Sequence, residues 1–78
     1  MNIEERVKQI LAKILNADPS KIDRHFSAEF VKEWDSLQQM NIIVALEEEF
    51  GIRFGEAESI LLKNYSSLQA AVKKKLDD

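Results

Sequence analysis

DSLQQMNIIVALEEEF, residues 35–50, is the stretch that decides the fold. Its apolar residues recur three and four positions apart, the spacing that places side chains on one face of an α-helix. Asp35 is of the type that caps a helix, and Gln38 stands where its side chain can reach back to the N–H of the cap. Gly51 follows and predicts an end in the left-handed conformation. We therefore predict a helix over residues 36–50.

The two faces of this predicted helix differ in character. One broad apolar face, which we expect to be mostly buried, contains Met40, Ile42, Ile43, Leu46 and Phe50. The polar residues gather on the opposite face: Gln38, Asn41, Glu48 and Glu49. Leu37 and Val44 lie at the boundary and form, with Asn41 and Glu48, a strip of mixed apolar and acidic character.

A first helix is predicted over residues 3–15, capped by Asn2 and ended by the run from Asn16 to Pro19. A helical turn after Pro19 and a long ordered loop follow. This loop is expected to be anchored by four apolar residues: Ile22, Phe26, Phe30 and Val31.

The spacing of apolar residues in the C-terminal part of the sequence predicts two further helices. A short one spans residues 56–61, with Ile60 and Leu61 facing inward. The last begins at Ser66 or Ser67, where Ser66 and Gln69 form a capping box. Its inward residues are Leu68, Ala71, Val72 and Leu76. The expected fold is all-α, a small bundle of three main helices plus one short helix.

Composition and charge narrow the classes of function. The chain has 78 residues, no cysteine and a net charge of −3, so its core is small and no disulfide can hold it. Residues 33–58 carry seven acids and one base, a segment charge of −6, which repels nucleic acid and favours partners with basic surfaces. Charges interrupt the apolar residues of the first helix, which argues against a signal peptide and a membrane span. We expect a cytoplasmic protein and a monomer.

Ser36 is the residue that best fits a chemical role. The one histidine, His25, lies in the long loop, and no catalytic triad, metal site or glycine-rich phosphate loop can be assembled around it. We therefore predict no catalytic residue and no metal. Ser36 stands at a helix start, where unpaired N–H groups and the positive end of the helix dipole stabilise a phosphate. Many serines without a chemical role also stand at helix starts, so this position alone does not show that Ser36 carries a phosphate.

The segment DSLQQMNIIVALEEEFGIRF, residues 35–54, resembles the central part of the acyl carrier proteins, which carry Asp-Ser-Leu at the start of a long helix that ends in an acidic run. IEERVKQILAKIL, residues 3–15, is similar to the first helix of that family, and SLQAAVKKKL, residues 67–76, to its last. The resemblance covers essentially the whole chain. It implies a single carrier domain over residues 1–78.

A covalent cofactor is the main implication of this resemblance. In the family the serine of the Asp-Ser-Leu motif, here Ser36, receives 4′-phosphopantetheine from coenzyme A through a separate Mg-dependent phosphopantetheinyl transferase. The arm ends in a thiol, so a chain without cysteine can carry acyl groups as thioesters. The implied phosphoprotein is not an enzyme. It serves acyl-loading and acyl-transfer enzymes of lipid or fatty acid biosynthesis.

Two further groups of residues match functional positions of the family. The first group would dock partner enzymes that have basic patches: Asp35, Leu37, Val44, Glu47, Glu48 and Phe54. The second group would line the space into which acyl chains can fold: Met40, Ile43, Leu46 and Ile60.

The chain departs from the carriers of bulk fatty acid synthesis at two places. Glu33 and Trp34 stand where those carriers place a small residue, and a bulky indole beside Ser36 is expected to change which enzymes can approach. Neutral residues replace acids in the first turns of the second helix: Gln38, Gln39 and Asn41. Partner discrimination would then depend on Trp34, Leu37 and Arg53. We expect a specialised carrier for a dedicated pathway, such as lipopolysaccharide acyl modification or secondary metabolism.

Two alternative functions stay open on the sequence. An aminoacyl carrier would have the same arm and a different cargo. An unmodified helical docking module would bind a basic partner through Glu47, Glu48 and Glu49, with an affinity that falls steeply as salt is added.

Overall fold

The computed structural model describes residues 2–77 and contains four α-helices and one short 3-10 turn. The helices are α1 (Ile3–Leu15), α2 (Ser36–Phe50), α3 (Glu56–Ser59) and α4 (Tyr65–Asp77), and the 3-10 turn is Pro19–Lys21. The predicted all-α bundle of three main helices plus one short helix is confirmed. Within residues 2–77, no helix has both the length and the apolar character needed to span a membrane.

The ends of α1 and α2 lie where the sequence predicts them. The side chain of Asn2 accepts the N–H of Glu5 at 3.1 Å, and that of Asp35 accepts the N–H of Gln38 at 2.9 Å. Gly51 ends α2 at φ 65°, and its N–H donates to the carbonyl of Glu47. Local side-chain chemistry therefore fixes both helices.

One half of the predicted capping box at α2 is wrong. Gln38 does not reach back to the cap, because its Oε1 accepts a hydrogen bond from Asn41 Nδ2 at 2.9 Å. The N–H of Asp35 donates instead to the carbonyl of Glu33 at 3.1 Å. A turn in the preceding loop thus supplies the acceptor that Gln38 was expected to provide.

The predicted start of α4 is also wrong, by one or two residues. The helix begins at Tyr65, and Oδ1 of Asn64 accepts the N–H of Ser67 at 2.7 Å. Asparagine caps a helix as well as serine does, so Asn64 replaces the expected box between Ser66 and Gln69. The early start also brings Tyr65 into the core.

The core lies where α1, α2 and α4 pack against one another, with Ile22 and Trp34 added from the long loop. Seven of its side chains are fully or almost fully buried: Val7, Leu11, Ile22, Ile42, Leu46, Leu68 and Val72. Polar contacts at the rim join the helices. Arg6 pairs with Glu49 at 2.7 Å, and Lys73 pairs with Glu4 at 2.9 Å.

Several residues expected to be buried are exposed. Met40 is 66% exposed, because the apolar face of α2 is wider than α1 and α4 can cover. Ile60 and Leu61 are 57% and 75% exposed, since α3 stops at Ser59 and the chain beyond it turns Leu62 toward the core. Two other predicted core residues are also exposed: Phe30 in the loop and Leu76 near the end of α4.

Replacing Gly51 with alanine should lower the free energy of unfolding by about 1 kcal/mol, because the positive φ disfavours a residue with a Cβ. The space around Gly51 is open, so no steric clash adds to the loss. Urea unfolding checks this. Gly55→Ala is the matched control, since Gly55 is equally open and has φ −68°. An equal loss in both variants contradicts the explanation.

Candidate functional site

Ser36 is the first residue of α2, and its side chain is exposed. Asp35, the preceding residue, has an extended backbone, and its carboxylate accepts a hydrogen bond from the N–H of Gln38. The N–H of Gln39 donates to the carbonyl of Asp35 at 2.8 Å, while the N–H groups of Ser36 and Leu37 lie ahead of the helix's own hydrogen bonds. The hydroxyl therefore projects into solvent from a rigid, electropositive helix end.

A groove of about 620 Å³ opens beside Ser36 and runs between α2 and the end of α3. Its apolar walls come from both sides of this gap: Met40, Ile43 and Val44 on α2, and Ile60 after α3. The rest of the lining comes from Ala28, Trp34, Asp35, Ser36, Gln39, Ser59 and Lys63. An exposed hydroxyl thus stands at the mouth of a largely apolar cleft.

The structure brings together three of the four residues predicted to line an acyl-binding space. Met40, Ile43 and Ile60 all lie in the wall of this groove. Leu46 does not, since it is fully buried in the core one turn further along α2. The groove therefore ends before Leu46, and its outer walls are open to solvent at Met40 and Ile60.

A buried polar network forms the inner side of the groove. Trp34 Nε1 donates to Gln39 Oε1 at 2.7 Å. Gln39 Nε2 in turn donates to the carbonyl of Ser59 at 2.8 Å and to that of Leu62 at 2.9 Å. Trp34 is 5% exposed and Gln39 is 8% exposed. One glutamine side chain therefore joins the loop before α2 to the segment after α3.

This network corrects two predictions. Trp34 is buried and bonded to Gln39, so its indole is not a surface beside Ser36 that approaching enzymes meet. Gln39 is likewise absent from the exposed face of α2. Helical spacing could have found Gln39, because it lies three residues before Ile42 and four before Ile43, both on the apolar face of α2. Because glutamine is polar, it is not among the residues that the sequence predicts to be buried on α2.

The predicted docking residues fall into two sets. Asp35, Leu37, Val44 and Glu48 are exposed on α2. Glu47 and Phe54 are partly buried, and Glu47 Oε2 accepts the N–H of Phe54 at 2.9 Å. The second pair therefore holds the loop between α2 and α3 in place, while the first set presents a mixed apolar and acidic surface near Ser36.

α3 is tied to α4 by Glu58. Its carboxylate pairs with Lys75 Nζ at 3.0 Å and accepts the N–H of Gly55 at 3.2 Å. The hydrogen bond from Lys75, helped by that from Gly55, lowers the pKa of Glu58 below its ordinary value of 4.5. Lys75 also lies 5.7 Å from the centre of the Phe54 ring. These contacts fix the far wall of the groove.

Comparison with known proteins agrees with this geometry. A family model described as a phosphopantetheine attachment site matches residues 5–73. The acyl carrier protein of Thermosynechococcus vestitus is 41% identical over 61 residues, which are 78% of this chain and 75% of that protein. The chain belongs to the acyl carrier protein family.

Two further relatives of this carrier support the assignment. The acyl carrier protein of Buchnera aphidicola subsp. Schizaphis graminum is 36% identical over 58 residues, 74% of this chain and 73% of that protein. The solution NMR structure of the holo acyl carrier protein from Geobacter metallireducens has a TM-score of 0.84 at 35% identity, and the match covers 99% of this chain and 88% of that one.

The family assignment decides the general function. The chain is a carrier and not an enzyme, its cofactor is covalently attached phosphopantetheine, and it interacts with phosphopantetheinyl transferase and acyl-handling enzymes. The residues present fit that group. An exposed hydroxyl at the N-terminus of a 15-residue helix suits a phosphodiester, and an apolar groove adjoins it.

Gln39→Ala should lower the free energy of unfolding by about 2 kcal/mol, because it leaves the buried Trp34 N–H and the partly buried carbonyl of Leu62 without partners. Gln38→Ala, the neighbouring control on the more exposed side of α2, should change it by no more than about 0.5 kcal/mol. Chemical denaturation of both variants checks this. Equal losses would show that the network contributes no stability.

Acidification should weaken α3 through Glu58. Because folding lowers the pKa of Glu58, its contribution to stability is fully present above pH 4.5 and disappears as the pH falls through the lower folded pKa. Glu58→Gln does not titrate, so the wild type should lose more stability than this variant between neutral pH and the acid range. Thermal unfolding over a pH series measures the difference, and parallel curves would contradict it.

Proposed function

We propose that Ser36 Oγ is the attachment point of the phosphopantetheine and that this carrier holds acyl cargo for enzymes of a dedicated pathway. The observation that carries the proposal is the exposed Ser36 hydroxyl at the mouth of an apolar groove. When bound, the group supplies a thiol that holds cargo as a thioester. Cytoplasmic location and a monomeric state belong to the same proposal.

The first turn of α2 would bind the phosphodiester. The N–H groups of Ser36 and Leu37 and the positive end of the helix dipole favour a negative charge at this position. Asp35 acts differently, because its carboxylate caps α2 and so holds the hydroxyl-bearing residue in a fixed orientation. A rigid base for a long flexible group is the property that a carrier needs.

The inner part of the groove suits an apolar cargo better than an aminoacyl group, because the two charged residues of the lining, Asp35 and Lys63, are exposed. Met40, Ile43, Val44 and Ile60 offer aliphatic walls. Both amide hydrogens of Gln39, the polar side chain deepest in the lining, are already donated to carbonyls. Burial of methylene groups against such walls is favourable, at about 0.8 kcal/mol for each group fully buried.

The exposed part of α2 is the proposed docking surface for partner enzymes. Leu37 and Val44 are 66% and 50% exposed, and the carboxylates of Asp35 and Glu48 flank them. Such a surface suits an enzyme with an apolar patch ringed by basic residues. Glu47 and Phe54 would support this surface by holding the loop that follows α2.

The uncharged residues in the first turns of α2, at the end of the docking surface near Ser36, favour a dedicated pathway. Gln38 and Asn41 bond to each other at 2.9 Å where the carriers of bulk fatty acid synthesis tend to carry acids. Weaker attraction to generic basic patches leaves partner discrimination to Leu37 and to the exposed Arg53. If this carrier supported a reconstituted fatty acid elongation system as well as a standard carrier does, the dedicated pathway would be excluded.

Intact mass tests the attachment point. The apo protein, incubated with coenzyme A, magnesium and a broad-specificity phosphopantetheinyl transferase, should gain the mass of one phosphopantetheine. Ser36→Ala should gain none. Ser66→Ala is the matched control and should be modified normally, since Ser66 is another exposed serine in the first turn of a helix.

The alternative functions give different results in the same experiment. An unmodified docking module gains no mass even when circular dichroism shows that it is folded. An aminoacyl carrier gains the phosphopantetheine, but the loaded protein isolated from cells carries an amino acid. Mass spectrometry of that protein therefore separates the three functions.

A further inference from the structure

We propose that Gln39 is a latch that closes the inner, core-facing side of the groove and so limits the length of acyl chain that this carrier can bury. This inference rests on the proposed function of Ser36. The latch consists of the Gln39 side chain and its three partners, the Trp34 indole N–H and the carbonyls of Ser59 and Leu62.

The hydrogen bonds of the latch leave Gln39 little freedom to move. Both hydrogens of Nε2 are donated, and Oε1 accepts the indole N–H at 2.7 Å. The side chain is almost completely buried. Moving it would therefore leave the buried Trp34 N–H and the partly buried carbonyl of Leu62 without their partners, and it would weaken the bonding of Ser59, whose carbonyl keeps only the N–H of Leu62 at 3.4 Å.

The position of the latch gives it control over the depth of the groove. Gln39 lies on the inward stripe of α2 that continues through Ile43 to Leu46, at steps of four and three residues. Gln39 and Ile43 line the groove, whereas Leu46 is sealed in the core. The hydrogen bonds to Ser59 and Leu62 span the gap between α2 and the segment after α3. An acyl chain that extends deeper into this gap has to displace the glutamine.

Chain length then divides cargo into two classes. Short chains fit between Met40, Val44 and Ile60 with the latch closed. The additional methylene groups of longer chains stay in solvent, because the free energy lost when the hydrogen bonds of the latch break exceeds the free energy gained by burying these groups. The protection that the protein gives the thioester should accordingly rise with chain length, reach a limit and then level off.

Trp34 reports the state of the latch without a label. It is the one tryptophan of the chain, it is buried, and it contacts Gln39 directly. Loss of the hydrogen bond to Gln39 should change its fluorescence emission. Emission is therefore expected to stay constant for every chain up to the limit.

The test uses the wild-type protein and Gln39→Met, loaded with a series of saturated chains from butyryl to palmitoyl by a transferase that accepts acyl-coenzyme A. The rate of thioester cleavage by hydroxylamine is measured for each chain, and intact mass verifies loading. In the wild type, cleavage should slow up to the limit and then become constant. Gln39→Met, which removes the latch but fills similar space, should move the limit to longer chains, with cleavage slowed about fourfold for each further methylene buried.

Gln38→Met is the matched control and should keep the wild-type limit, because Gln38 lies outside the groove. An unchanged limit in loaded Gln39→Met overturns the proposal. Should that variant fail to fold, Gln39→Leu, which also removes all three hydrogen bonds of the latch and keeps an apolar side chain of similar size, should move the limit, and an unchanged limit there overturns the proposal equally. A wild-type chain that gains no mass contradicts the function of Ser36 instead.

Discussion

The packing of α2 against α1 and, to a smaller extent, α4 is the constraint on which the rest of the structure depends. Ile42 and Leu46 are fully buried there, and without cysteine this small core must supply most of the stability. Because one side of α2 is fixed so firmly, its first residue and its opposite side have defined positions. Ser36 can thus be exposed and still be held rigidly, and the remaining apolar side chains of α2 can form the wall of a groove.

Structural features that depend on contacts between residues close in the sequence could be predicted from the sequence. The bounds of α1 and α2 follow from Asn2, Asp35 and Gly51, each of which satisfies or ends a helix through contacts with its neighbours in the chain. The exposure of Ser36 follows from its position directly after a cap. The grouping of Met40, Ile43 and Ile60 has a different origin, because it follows from the family resemblance and not from a local signal.

Features that depend on contacts between distant segments were not readable. Gln39 bonds to carbonyls 20 and 23 residues away, and a polar residue on an inward stripe gives no indication of such partners. Trp34 is buried although a surface position is predicted for it, and its partner in this network is Gln39, five residues away. Conversely, Met40 and Leu61 have the residue type of a core, but the number of neighbouring elements limits how much apolar surface can be covered. Burial is a property of the assembled bundle.

The shortness of α3 has a consequence for how this carrier moves. Four residues are too few to form a helix alone in water, because helix nucleation is costly. Its order is imposed from outside, by Gln39 on the carbonyl of Ser59 and by Lys75 on Glu58. Loss of these ties disorders α3 while α1, α2 and α4 keep their shared core. The cleft can therefore open by sub-global unfolding, and an occupant can depart from a molecule that stays native everywhere else.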